Sequence, residues 1–346
     1  MSRPSSLRVA VVGAGVVGLA TALELVERGA GVTVFERHAK LGGNASWLAG
    51  GMLAPFCEGE SAPESVVARG AAAIHWWASR VPGVVRAGSL VVAAPRDSGE
   101  VERFAARTRG RERIDEARIA ELEPDLAGRF RKGLFFADEG HVDPRVAMAA
   151  LVAALEQGGA ELRFGEEFPG STVAEVAGLG GRGRRPRLQQ AREEIVIDCR
   201  GYSARADLPE LRPVRGEMLL LRTREVRLRR PVRLLHPRIP LYVVPRAENV
   251  FMIGATMIES ADPGGVSARS AIELLSAAYA LHPAFGEAEI LEMSADIRPA
   301  FPDNEPRVVE ANGRLYVNGF YRHGYLLAPY FAARAAERAL QSCYIS

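Results

Sequence analysis

Lysine is nearly absent from this chain: of 44 basic residues, only Lys40 and Lys132 are not arginine. Against 42 acidic residues the formal charge is +2, so no whole-molecule field recruits nucleic acid or an anionic membrane. Arginine abundance on this scale is a composition bias, and partners have to be argued from sites. Cysteine is scarce too. Cys57, Cys199 and Cys343 are widely spaced with no C-x-x-C pair, which argues against a disulfide framework or a structural zinc and fits a cytoplasmic setting. No His or Cys cluster has metal-ligand spacing, and His75 with Trp76 and Trp77 reads as domain packing. No run reaches the ~18 uncharged apolar residues of a membrane span. Arg3 and Arg8 followed by the apolar run Val9 to Ala22 imitate a secretory leader, but Gly13, Gly15 and Gly18 interrupt the run and Glu24 follows it. With 48% apolar and 25% charged residues over 346 positions, the chain is neither disordered nor fibrous and is long enough for about two domains.

What is present begins with a motif. Leu7 to Val12 is a short β-branched run; Gly13-Ala14-Gly15-Val16-Val17-Gly18 follows, then a helical pattern at Leu19, Ala22, Leu23 and Val26, and a second apolar run, Val32 to Phe35, ending in Glu36. In such a unit the first glycine makes a tight turn, the second lets a pyrophosphate approach the backbone, and the third lets helix and strand pack closely. The helix N-terminus offers unpaired N–H groups and partial positive charge to a diphosphate. Glu36 lies eighteen residues after Gly18, near the ~20 expected of an acid that bonds ribose hydroxyls. Its charge repels a 2′-phosphate, which favours NAD or FAD over NADP.

Beyond Glu36 the chain runs Gly42-Gly43-Asn44-Ala45-Ser46-Trp47-Leu48-Ala49-Gly50-Gly51-Met52-Leu53-Ala54-Pro55, where small residues permit close approach of a flat ligand. This stretch resembles the flavin-contacting segment of the D-amino-acid-oxidase-like FAD enzymes, and its A-G-G-M-L-A-P string is most similar to the glycine oxidases of thiazole, hence thiamine, biosynthesis. The resemblance continues through Gly140-His141-Val142-Asp143-Pro144 at a helix entry, Ser171-Thr172-Val173, whose valine backbone meets the adenine in the family, Ile195 to Gly201, which closes the dinucleotide fold, and Val214-Arg215-Gly216-Glu217, which opens the next strand. It ends in Leu315 to Pro329, similar to the family's last flavin motif, where turn amides and a helix N-terminus stabilise the anionic reduced flavin. FAD contacts are thereby implied at Gly13, Gly15, Val16, Val17, Gly18, Glu36, Arg37, Ala45, Ser46, Gly50, Gly51, Met52, Val173, Gly201, Phe320, Tyr321, His323, Gly324, Tyr325 and Leu326. His323 stands where the family commonly has a small or amide residue.

The resemblance also implies substrate residues. Tyr242 to Arg246 and Phe251 to Met257 read as two strands of a hairpin, from which Tyr242 and Met257 are carried over as pocket residues. Arg298, immediately before Pro299, matches the family arginine that binds an α-carboxylate. A planar guanidinium fork suits that task, being permanently charged and bidentate. Arg322 matches a second arginine near the carboxylate. Two arginine-rich stretches carry no function: Gly178 to Arg187 reads as a hairpin tip, and Arg222 to Arg233 as one half-exposed strand.

The fold expected is a Rossmann-like FAD-binding domain (residues 1–78, 138–205 and 296–346) with a second, mostly antiparallel-sheet substrate domain (79–137 and 206–295). The implied activity is oxidation of glycine or a small amino acid to the imino acid. FAD is bound non-covalently, since no cysteine lies in the last flavin motif, and O2 is reduced to hydrogen peroxide, with hand-over to a thiazole-forming enzyme. Sarcosine, proline or D-amino-acid oxidases, quinone-linked dehydrogenases and a non-catalytic flavin-binding protein are the alternatives. A carboxylate clamp counts against the last. Oligomeric state is left open.

Overall fold

The structure is a computed structural model that describes residues 7–169, 194–236 and 241–345. Two units make up the chain. The first comprises Met1–Trp47, Ala147–Pro213 and Arg298–Ser346, the second Leu48–Val146 and Val214–Ile297.

A six-stranded sheet organises the first unit, in the order Arg307–Ala311, Arg314–Asn318, Glu194–Asp198, Arg8–Val12, Gly31–Glu36, Glu161–Phe164. The strand Arg8–Val12 lies at the centre because it is apolar on both faces: Val9, Ala10, Val11 and Val12 are all buried, as a parallel strand covered on both sides requires. Its partners run parallel to it, with Val12 opposite Phe35 on one side and Asp198 on the other. The helix Val16–Glu27 connects the first two strands. Leu19 and Leu25 on this helix are fully buried, each contributing about 2–3 kcal/mol relative to exposure. A hairpin, Arg307–Ala311 with Arg314–Asn318, then leads toward the last helix, Gly324–Ile345.

The second unit is built on a nine-stranded, mostly antiparallel sheet in which Val232–Leu235 runs parallel to Ser89–Ala93. Alternation divides the residues of its central strands between two faces. Leu219, Leu221, Val243 and Ile253 pack with Leu274, Ala278 and Leu281 of the helix Ala268–Leu281. Met218, Leu220, Val244 and Met252 form a separate cluster with Leu48, Met52 and Tyr242.

Three readings need correction. Residues 206–213, placed with the substrate domain from sequence, fall in the first unit, and residues 48–78, 138–146 and 296–297, placed with the dinucleotide domain, fall in the second. Met52–Leu53 pairs there with Gly140–His141, and Ala54 and Cys57 join Val91, Phe104 and Phe136 in one apolar cluster. Arg222 to Arg233 is not a single strand. The chain leaves the sheet after Arg222 and re-enters it at Val232, burying Val226 and Leu228 between and setting Arg230 on Glu123 at 2.8 Å. The hairpin strand expected to run to Met257 stops at Gly254, and Met257 is 46% exposed. Val173 and the stretch Gly178 to Arg187 lie outside the described residues. Among the described residues no helix is long and apolar enough to cross a membrane, and no group of three or more His, Cys, Asp or Glu side chains is placed to hold a metal ion.

Candidate functional site

The three glycines of the opening motif do three different things. Gly13 turns at φ +101°, and a Cβ there would stand 2.9 Å from the Cys199 carbonyl oxygen. At Gly18 a Cβ would stand 1.9 Å from the Gly13 oxygen, so this glycine lets the helix lie on the turn. Gly15 is different: its Cβ would meet only Ser46 Oγ, at 3.3 Å. That opening sits at the N-terminus of Val16–Glu27, which has no capping side chain on Gly15 itself. Ser46 Oγ accepts from Val16 N at 3.0 Å, and Val17 and Gly18 follow in the first turn, where helical amides lack intrahelical partners.

Glu36, at the end of the second strand, is buried. Its Oε2 accepts from Ala14 N at 2.8 Å, and its Oε1 accepts from His38 N at 3.0 Å and lies 2.7 Å from His38 Nδ1. The carboxylate therefore braces the glycine turn from the end of the second strand. His38 was missed in the sequence, although a histidine two residues beyond the acid was there to be read. Arg37 is exposed, and Ala45 and Ser46 are half-buried in the following turn. First-turn amides at Val17 and Gly18 without intrahelical partners, an open Cβ position at Gly15 and an acid at the second strand end together fit the ADP part of FAD.

The stretch from Leu315 to Pro329 folds back onto this helix start. Asn318 Nδ2 donates to the Gly201 carbonyl at 2.9 Å, and Asn318 Oδ1 accepts from Gly319 N at 2.8 Å. Tyr321 takes a left-handed φ of 50° and donates its N–H to Pro299 O at 2.8 Å, while Ala300 bridges to Phe320. The segment bearing Arg298 is thus pinned to the turn bearing Arg322, and both side chains are half-buried. Where the last helix begins, a Cβ on Gly324 would be 3.5 Å from Val16 Cγ1, and Tyr325 Oη donates to Ser46 O at 3.1 Å. The starts of the first and last helices of this unit converge on Ser46. Phe320, Tyr325 and Leu326 are buried, as is His323, which packs edge-on against Tyr321.

In the second unit, Tyr242 shares a face with Val244 and Met252. Cβ atoms on Gly50 and on Gly254 would each come 3.1 Å from Tyr242 Cε2, so both glycines make room for this ring. Gly51, at φ +70°, has Val142 O where a Cβ would go, and Met52 pairs with His141. Just ahead of His141, the Glu139 carboxylate accepts from Cys57 N at 2.7 Å.

Burial pushes the Glu139 carboxyl up to about 7 and the His141 imidazole down to about 4. Their contributions to stability depend on pH in opposite directions. Glu139 holds its proton more tightly in the folded chain, so its contribution is complete below pH 4.5 and is lost as pH rises toward about 7. His141 resists protonation, so its contribution is complete above pH 6.5 and is lost as pH falls toward about 4. Each amounts to about 3 kcal/mol across its window. In urea titrations Glu139→Gln should gain stability over the parent as pH is raised from about 5 to about 8, and His141→Gln as it is lowered from about 7 to about 4. Two differences that move the same way with pH would refute this assignment.

Residues 8–338 match the family described as DAO, FAD dependent oxidoreductase. Over 335 residues the chain is 52% identical to a protein of Rhizobium etli named for a thiamine biosynthesis oxidoreductase, ThiO, covering 96% of this chain and 97% of that one. It is 28% identical over 350 residues to a bifunctional protein ThiO/ThiG of Nostoc sp., covering 95% of this chain and 52% of that longer protein. Among solved structures, the glycine oxidase of Geobacillus kaustophilus matches with a TM-score of 0.75 at 26% identity, over 95% of this chain and 94% of that one.

Proposed function

The chain belongs to the family of FAD-dependent oxidoreductases that includes D-amino-acid oxidase, and from that premise we propose that it oxidises glycine, or an amine or amino acid of similar size, to the imino acid. The observation that carries this reading is the backbone pinning of Arg298 to the last flavin motif through Tyr321 N and Pro299 O. The likeness to ThiO and to a glycine oxidase supports it. FAD bound here would supply a two-electron acceptor for the α-hydrogen as hydride; the nitrogen would give up one proton as the imine forms, and O2 would take up the two electrons with two protons as hydrogen peroxide.

The chain's own residues bind and orient. Gly13, Gly15, Gly18 and the first turn at Val16 and Val17 receive the diphosphate, and Glu36 the ribose. Ser46, Gly50, Gly51, Met52, Gly201 and the turn from Phe320 to Leu326 border the rest of the cofactor. Arg298 grips the substrate carboxylate as a bidentate fork and Arg322 adds positive charge. By resemblance to the family, Tyr242 and Met257 are assigned to the substrate's neighbourhood, Met257 being 46% exposed. No protein base is assigned: an amine entering in its neutral form carries no proton that a side chain must remove before hydride leaves. FAD is held without a covalent bond, in keeping with the burial of Cys57 and Cys199. These unpaired thiols also suit work in the cytosol. The match to one half of a ThiO/ThiG protein supports hand-over of the imine to a thiazole-forming partner.

The test is the visible spectrum of the purified protein, followed anaerobically with glycine, sarcosine, D-alanine and D-phenylalanine and then under air with peroxide detection. Yellow absorbance that glycine and sarcosine bleach, with peroxide on reoxidation, is expected. Each added methylene should alter kcat/KM by only about 10- to 200-fold. Preference for D-phenylalanine would overturn the small-pocket reading, and bleaching without peroxide would replace O2 by another acceptor.

A further inference from the structure

Arg246 lies where three segments of the second unit meet. It follows the strand Leu241–Pro245 in extended conformation, so alternation places it on the same face as Tyr242 and Val244. The side chain is 5% exposed. Its Nη2 donates to the Ala49 carbonyl at 3.0 Å, and its Nε stands 3.8 Å from Asp143 Oδ2. Its own N–H donates to Val250 O at 2.8 Å, fixing the end of the strand. From the other side, Val142 N donates to Gly51 O at 3.0 Å, and Met52 and Leu53 pair with His141 and Gly140.

We propose that Arg246 is a positioning residue that sets the spacing between the Ala49–Met52 backbone and the Tyr242 ring. The spacing is tight. A methyl group on Gly50 would stand 3.1 Å from Tyr242 Cε2 and 3.5 Å from Val244 Cγ2, so the two surfaces are already in contact and a small displacement of either changes the shape between them. The Ala49 carbonyl is tied to this strand by a charge-assisted bond, the stronger kind. Asp143 balances the guanidinium charge and joins the Gly140–Pro144 loop to the same anchor. Arg246 touches neither substrate nor cofactor in this account: it acts through the Ala49 carbonyl. The inference rests on the proposed function only in taking Gly50 to Met52 as flavin neighbours and Tyr242 as a substrate neighbour.

Four proteins test it: Arg246→Ala, Arg246→Lys, Asp143→Asn and the parent, each purified as the holoenzyme. Flavin band positions, FAD release on dilution, KM and kcat for glycine, and amide hydrogen exchange of residues 49–53 are measured. Arg246→Ala should shift the flavin bands, speed exchange at residues 49–53 and lower kcat/KM on the order of 10- to 100-fold, mostly through KM. Arg246→Lys should recover part of each effect, and Asp143→Asn should move each in the same direction by less. Unchanged bands, exchange and KM in Arg246→Ala would overturn the proposal. If Arg246→Ala does not fold, Arg246→Lys carries the test, and parental values in all four measurements would overturn it. Failure of the function reading has a different signature: the parent itself would oxidise no amine, while the band shift and exchange would still report on Arg246.

Discussion

Gly18→Ala is expected to cost the protein its dinucleotide unit, whereas Gly15→Ala is expected to cost it FAD and little else. At Gly18 the added methyl would lie 1.9 Å from the Gly13 carbonyl oxygen and 3.3 Å from Cys199 Cβ. The first of these is backbone in a tight turn and cannot swing away. The helix Val16–Glu27 would have to lift off the strand Arg8–Val12, losing packing at Leu19 and Leu23, and the penalty should exceed the usual ~1–3 kcal/mol of core overpacking. For a fold stable by only about 5–15 kcal/mol that is a large fraction. At Gly15 the new methyl meets only the Ser46 hydroxyl at 3.3 Å, the far end of a side chain that can rotate. Folding should survive, but the methyl fills the space needed by a diphosphate, and the loss of one or two charge-assisted hydrogen bonds should weaken FAD binding on the order of 10- to 1,000-fold. Circular dichroism, thermal melting and flavin absorbance after gel filtration separate the two outcomes. A Gly18→Ala protein that melts like the parent and keeps its FAD would refute this account of the turn.

Arg298→Lys should lower kcat/KM for glycine by roughly 30- to 1,000-fold while leaving FAD content unchanged. Lysine keeps the charge but replaces the planar fork with a point donor, and removing one member of a desolvated, charge-assisted pair costs about 2–4 kcal/mol. The backbone supports the separation of effects. Pro299 O is held by Tyr321 N, and Ala300 is bridged to Phe320, so the segment keeps its place when the side chain is changed. Steady-state kinetics against the 280-to-visible absorbance ratio decides the matter: parental kcat/KM in Arg298→Lys would remove this residue from the substrate site.

Much of the first unit was legible in the amino-acid order. Gly13, Gly15, Gly18 and Glu36 stand in one local unit whose spacing is dictated by a turn, a helix and a strand, and steric rules of short range act on neighbours in sequence. Alternation also made the two hairpin strands starting at Tyr242 and Phe251 legible. Short-range rules fail where partners are distant in sequence. Periodicity could not show that residues 48–78 leave the dinucleotide unit, because the decisive pairing of Met52 with His141 joins segments far apart in the chain. Nor could it end the second hairpin strand at Gly254 and leave Met257 exposed.

What the sequence determined by itself, then, is the dinucleotide turn, the alternation of the strands and the arginine before Pro299, since each depends on covalent geometry or on side-chain chemistry within a few residues. Only the tertiary structure decided the company those residues keep. Glu139 receives the Cys57 amide, Arg230 is buried on Glu123, and Arg246 holds the Ala49 carbonyl. Each of these contacts brings a charged group to a partner more than eighty positions away. A buried charge needs such a partner wherever the fold can supply one, and which partner it meets is set by how the sheets and loops pack.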